Sequence, residues 1–299
     1  MSLTSKYCFC VFFCFLILFF IFGLAGRVRA ADYSVNLDYG KVQPIEAVTI
    51  SKKIPAAIGV QKADGLLVEL NPALTGPRQR TLPLKRLKLF LNQELFQLTD
   101  APLTIPFSKT FKNQNIIGLA FDLNLNPEDY PGTYQGKVVI RPWVEGPLGR
   151  ELKHSITIHI SVQIQPWVRI EALQSAVNLE DTSYAENQIL NNQPLVLRIA
   201  SNTNWVLFYR TDPKSPPTAI QPEIMIQPQG NQPIQIIPAK SAGSNNRKDL
   251  ALGGSTTAAG AYWSELSLTL IIPNFTKHVS QNYSFPLQFA VGLWDGPSG

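Results

Sequence analysis

Ile156-Thr157-Ile158-His159-Ile160-Ser161-Val162-Gln163-Ile164 decides the fold class. Every second residue is branched and apolar, and the residues between are polar. A strand points successive side chains to opposite faces, so this stretch reads as a strand with one face in a core and the other in solvent. The same period governs Leu119, Phe121, Leu123 and Leu125 against Asp122, Asn124 and Asn126, and returns in Leu266, Leu268, Leu270 and Ile272. No stripe with helical spacing persists for three turns. Asn126-Pro127, Pro131-Gly132 and Gly253-Gly254 supply turns between the runs, and 23 prolines favour turn-rich β structure over helices. The chain is expected to be all-β.

Several anchors recur in order. Val35-Asn36-Leu37-Asp38 returns as Val177-Asn178-Leu179-Glu180, and Val48-Thr49-Ile50-Ser51 returns loosely as Leu197 with Ile199-Ala200-Ser201. Gly132-Thr133-Tyr134 and Gly260-Ala261-Tyr262 each open an apolar run, and Trp167 and Trp294 each follow a closing strand. Repetition at domain length means two copies of one fold. The expectation is two tandem immunoglobulin-like β-sandwich domains after a signal peptide: 1–30 leader, 31–167 first domain, 168–299 second domain. Between these anchors the first copy is the longer, which places extra chain between Thr75 and Thr110 in that copy alone. Pro166 stiffens the joint, so an elongated two-domain rod is expected.

Residues 1–30 have the layout of an export signal. Lys6 precedes an apolar run from Tyr7 to Leu24, and Val28-Arg29-Ala30 offers a site for cleavage before Ala31. The alternative is an uncleaved anchor, because the run is close to the lower length of a bilayer span. Cys8, Cys10 and Cys14 are the only cysteines and lie inside the run, so the mature chain has no disulfide and no thiolate chemistry. A bacterial exported protein fits that composition best. Of the 26 basic residues, Lys6, Arg27 and Arg29 leave with the leader, so the remainder exceeds the 21 acidic residues by only two. That balance gives no reason to invoke nucleic acid. No integral membrane domain is expected after cleavage.

Catalytic groupings are hard to assemble. His154, His159 and His278 are the only histidines, and His159 falls on the polar side of its strand. No G-x-S-x-G elbow and no phosphate-cradling glycine loop occurs. Asp122 to Glu128 imitates the start of a calcium loop, but Pro127 and Thr133 stand where glycine and a bidentate acid are needed. The expectation is therefore no enzyme, no cofactor and no metal. Two contact candidates stand out. Arg78, Arg80, Lys85, Arg86 and Lys88 put five cations into eleven residues, suited to an anionic polymer if they are not simply a charged strand edge. Trp263 breaks the inward pattern of its strand and is the best aromatic contact candidate. Tyr134 follows a glycine turn, where a tyrosine can bury its ring while its hydroxyl closes the turn.

Asp129-Tyr-Pro-Gly-Thr-Tyr-Gln-Gly-Lys-Val-Val-Ile140 resembles the late strand motif of bacterial fimbrial subunits and of Gram-positive WxL surface domains. Trp205-Val206-Leu207 resembles the WxL tripeptide itself, whereas Trp263 is followed by Ser264-Glu265-Leu266. The likeness implies an exported, non-enzymatic cell-surface or matrix protein with an adhesion-like structural or binding role. Its partner would be a cell-envelope polymer, a polysaccharide or a protein subunit. A periplasmic chaperone of pilus assembly is the alternative, and a cell-wall polymer hydrolase or its accessory domain a more distant one. The expected location is secreted or at the cell surface, with the periplasm as the other compartment.

Overall fold

The structure is a computed structural model. It describes residues 32–54, 58–60, 62–70, 74–99, 101–108, 111, 116–174, 179–183, 188–191, 193–210, 223–229, 234–237, 247–254, 263–272 and 287–294. Residues 1–30, expected to be a leader, Val177-Asn178 and Gly260 to Tyr262 lie outside the described residues.

Among the described residues, fourteen strands precede Trp167. They begin with β1 (Tyr33–Val42), β2 (Val48–Lys53), β3 (Ile58–Gly59), β4 (Gly65–Leu70) and β5 (Leu74–Thr75). Next come β6 (Thr81–Leu82), β7 (Leu87–Leu91), β8 (Glu94–Gln97), β9 (Leu103–Pro106) and β10 (Ile116–Ile117). β11 (Leu119–Leu125), β12 (Gly132–Gly146), β13 (Gly149–Leu152) and β14 (Ile156–Ile164) complete the set. One sheet runs β1-β14-β12-β4-β9 and faces a second of order β2-β11-β7-β8. β1 lies parallel to β14, and the other pairs along these two paths are antiparallel.

The period-two runs deliver the core between the sheets. In β14, Ile156, Ile158, Ile160, Val162 and Ile164 are all buried, and in β11 so are Leu119, Phe121, Leu123 and Leu125. Tyr39 of β1 crosses between the sheets, its hydroxyl donating to the Phe121 carbonyl at 3.0 Å. Burial holds that phenol protonated by raising its pKa well above the ordinary value. Tyr134 is buried at the start of β12 and its hydroxyl donates to the Tyr130 carbonyl at 3.0 Å, the corner expected of it.

Ten described strands follow Trp167. They are β15 (Val168–Ala172), β16 (Leu179–Ser183), β17 (Gln188–Asn191), β18 (Leu195–Ser201) and β19 (Trp205–Arg210). After these come β20 (Glu223–Gln229), β21 (Gln235–Ile236), β22 (Arg247–Gly253), β23 (Trp263–Ile272) and β24 (Gln288–Leu293). One sheet is built on β15-β18-β23, with β20 on the far side of β23, and the other runs β21-β22-β19-β24. Trp205 is 1 % exposed in the core between them. A Cβ on Gly253, its cross-strand neighbour, would run into the Trp205 indole.

Six strands of each half share one connectivity. β2, β11 and β7 pair as β18, β23 and β20 do, while β12, β4 and β9 pair as β24, β19 and β22 do. The chain visits these six positions in the same order in both halves. This corrects two anchors. Gly132-Thr133-Tyr134 opens β12, whereas Gly260 to Tyr262 precedes β23, which is the partner of β11. Trp167 follows β14, and Trp294 follows β24, the counterpart of β12. Short alternating strands after a glycine turn resemble one another whatever their place in the sheet, so the first anchor slipped by one strand and the second by two, β13 and β14.

Realigned, the halves are similar in length up to this point. Ser51 to Leu119 spans 68 residues and Ser201 to Trp263 spans 62. The extra chain expected between Thr75 and Thr110 therefore shrinks to a few residues. After β12 the first half continues with β13 and β14.

Candidate functional site

The structure disperses the five cations. Pro77–Gln79 is a tight turn between β5 and β6, closed by the Arg80 amide donating to the Pro77 carbonyl at 3.1 Å. Its central residues carry positive φ, 54° at Arg78 and 60° at Gln79. That is the backbone of a type I′ turn, which Asn-Gly ordinarily occupies. Left-handed backbone costs a residue with a Cβ roughly 1 kcal/mol or more. The turn sits on the corner that Tyr134 closes: a Cβ on Gly132 would collide with Pro77, and one on Gly76 with the Tyr134 ring. Arg80 lies over the neighbouring Tyr130 ring with its Cζ 3.9 Å from the centroid, and the Arg78 Cζ is 6.0 Å from the same centroid.

Arg86 has a different employer. Its guanidinium bonds the Asp129 carboxylate and lies 3.8 Å from Glu128. The expectation of a freely available Arg86 is corrected here, because a cation paired to a buried acid is not offered to a ligand. Lys88 stands directly across from Asp122 in the register of β7 and β11. Lys85 is exposed, and its carbonyl accepts from the Gln97 side chain. Arg78, Arg80 and Lys85 thus remain without an ion pair among the described residues. Trp263, expected to be exposed, is half-buried where it opens β23 across from Ala200.

Asp129 belongs to a second constellation that sequence reasoning missed. It is 6 % exposed, and its carboxylate accepts from the Asn126 amide at 2.7 Å as well as from Arg86. Burial pushes this carboxyl above its ordinary pKa range, against the pull of the Asn126 amide and Arg86. No cluster of three metal-ligating side chains occurs among the described residues.

Asn202, wholly buried between β18 and β19, ties that corner to the second half. Its amide donates to the carbonyls of Asp129 at 3.0 Å and Gln165 at 3.1 Å, and its Oδ1 accepts from the Trp167 amide at 2.9 Å. The Trp167 indole N–H donates back to the Pro127 carbonyl at 3.2 Å. Trp167 is 3 % exposed, so the joint is a packed, hydrogen-bonded seam. The only hint in the sequence was Ser201-Asn202-Thr203-Asn204, a polar loop between two apolar strands.

A third feature is an edge. β12 has β4 on one side and β14 on the other, whereas its counterpart β24 pairs with β19 alone among the described residues. Phe289 and Val291 of β24 pack on the second core yet stay partly exposed, and Leu293 is 45 % exposed.

No family model and no curated protein matches the chain. Solved structures do. A chain of the CsuC–CsuE chaperone–tip adhesion subunit pre-assembly complex from archaic chaperone-usher Csu pili of Acinetobacter baumannii is 13% identical, with a TM-score of 0.36, covering 87% of this chain and 98% of that one. A mutant of the CFA/I adhesin CfaE of enterotoxigenic E. coli is 10% identical, with a TM-score of 0.29, covering 87% and 96%. At such scores neither likeness assigns a function to this chain.

Proposed function

We propose that this chain is an exported, non-enzymatic protein of the cell surface or periplasm that binds a protein subunit through the edge of β24 that no described strand pairs. The contrast between β12 and β24 carries the reading. Six strands match between the halves, but β12 is also paired by the alternating apolar β14, whereas no described strand takes that place beside β24. A strand edge without a pairing partner, flanked by half-buried apolar side chains, is a template for an added strand. The occupant is an extended segment of another polypeptide with apolar residues at every second position, because only that pattern fills one face of a strand pair.

Within this proposal residues 1–30 are the leader, 31–167 the first domain and 168–299 the second. Two separate apolar clusters support the division, as does strand pairing that stays within 33–164 or within 168–293. A structural rather than catalytic use of the polar groups is supported by Tyr39, Tyr134, Asp129 and Asn202, each of which is bonded to backbone or to a neighbouring side chain. No helix among the described residues is long and apolar enough to cross a membrane.

A peptide with the sequence Ile156 to Ile164, the strand that covers β12, is the direct probe. Hydrogen exchange of the whole mature chain is followed with and without it. Slowed exchange at Gln288 to Leu293 is expected, and a peptide with the same composition but scrambled alternation should give none. Equal protection by both peptides, or none by either, would refute the edge reading.

A further inference from the structure

We propose that the Pro77–Arg80 turn binds the repeated oxyanions, phosphate or carboxylate, of an anionic polymer, with Arg78 and Arg80 held against Tyr130 as the contact. Three observations converge on this turn, and none depends on the β24 edge. Both guanidinium groups gather at one ring, at 6.0 and 3.9 Å. Stacking on an aromatic face holds the planar fork of arginine in place while leaving its N–H groups free to bond an oxyanion in pairs. Neither arginine has a carboxylate partner among the described residues, although Glu128 and Asp129 adjoin Tyr130, because those acids are taken by Arg86.

The backbone supplies the third observation. Positive φ at both Arg78 and Gln79 is an unfavourable choice in a turn where Asn-Gly would relax the chain. Strain of this kind persists where surrounding structure enforces it, and clusters at ligand-clamping sites. Here the strained turn is seated on a packed corner, with Gly76 against Tyr134 and Gly132 against Pro77. A rigid seat fixes where Arg78 projects. Lys85, next in sequence to Arg86, is exposed and is a third cation without an ion pair among the described residues. A polymer fits better than a single ion, since the exposed Arg78 and Lys85 belong to different turns, 77–79 and 84–86.

The test uses the whole mature chain and two probes, a polyglycerol phosphate and a polygalacturonate, titrated by calorimetry. Binding to at least one is expected, and the probe that binds identifies the oxyanion. Binding should weaken between about 0.01 M and about 0.1 M salt, where the screening length falls from about 30 to about 10 Å. The double change Arg78→Asn with Gln79→Gly should raise the midpoint of urea unfolding and weaken binding about tenfold, roughly the factor that 1.4 kcal/mol represents. A gain of stability together with a loss of binding separates contact from misfolding. Arg80→Lys keeps the charge but loses the stacked fork and should weaken binding several-fold. Failure of the wild-type chain to bind either polymer, salt-insensitive binding, or binding by the double variant within twofold of wild type would overturn the assignment.

Discussion

Replacing Asn202 by alanine should uncouple the two halves of the molecule. The side chain is wholly buried and makes three hydrogen bonds, to the Asp129 and Gln165 carbonyls and from the Trp167 amide. Alanine leaves two carbonyls and one N–H without those partners in a site closed to solvent. Each buried group left unsatisfied costs about 1–3 kcal/mol, the N–H more than a carbonyl that retains a second lone pair. Water entering the vacated volume recovers part of this, which brings the expected loss to about 3 kcal/mol. The loss falls on the seam, not on either core, because Leu197, Leu207 and Leu266 are untouched. The assay is urea unfolding followed by tryptophan fluorescence, with calorimetry alongside. The wild-type chain should lose both halves together, and the variant should resolve two transitions. Asn202→Asp should do no better, since it keeps the acceptor for Trp167 but loses both donors and buries a charge beside a carbonyl. A loss below about 0.5 kcal/mol, within the range of ordinary surface changes, or a variant that still unfolds in one step, would show that the seam contributes nothing to coupling.

Acid stability should depend on Asp32 and Asp38, whose carboxylates accept from the Ser155 amide and hydroxyl, and from the Gly40 amide and Ser161 hydroxyl. These bonds lower both pKa values from 3.8, so their contribution is complete above that value and disappears as pH falls through the lowered ones. Changing both to asparagine should flatten the decline of the urea midpoint below about pH 3.8, and an unchanged decline would count against them. Asp129 acts with opposite sign. Its pKa is raised, so its contribution diminishes as pH rises from 3.8 through the raised value. Tyr134→Phe should cost about 1 kcal/mol by removing the corner bond to Tyr130, and its phenol, pushed up to about 12 by burial, should resist ionisation until that pH in spectrophotometric titration. Gly253→Ala should cost about 1–3 kcal/mol by overpacking Trp205, measured by thermal unfolding; a neutral result would mean that the indole has room to shift.

Much of the architecture was legible in one dimension. Alternation is a local property, since each residue of β14 or β11 is assigned to a face by its neighbours alone, and the buried set follows that pattern without exception. The Tyr134 corner was legible for the same reason, because the bond it makes spans only four residues. Sheet neighbours were not. Whether an apolar run is a β12 or a β23 depends on which distant strand lies beside it, and the Gly-x-Tyr anchors could not distinguish the two. The basic cluster shows the same limit at a finer scale. Composition put five cations in eleven residues, but a charge is available or spent according to what faces it. Arg86 meets Asp129 across 43 residues of chain, while Arg78 and Arg80 meet a tyrosine ring. Asn202 carries the point furthest, for a polar loop residue became a buried joint only because two distant segments of backbone, at Asp129 and at Gln165 to Trp167, converge on it. Local periodicity thus set the strands and their inner faces, and pairing between residues far apart in the chain decided which polar groups hold the molecule together and which are left to meet a partner.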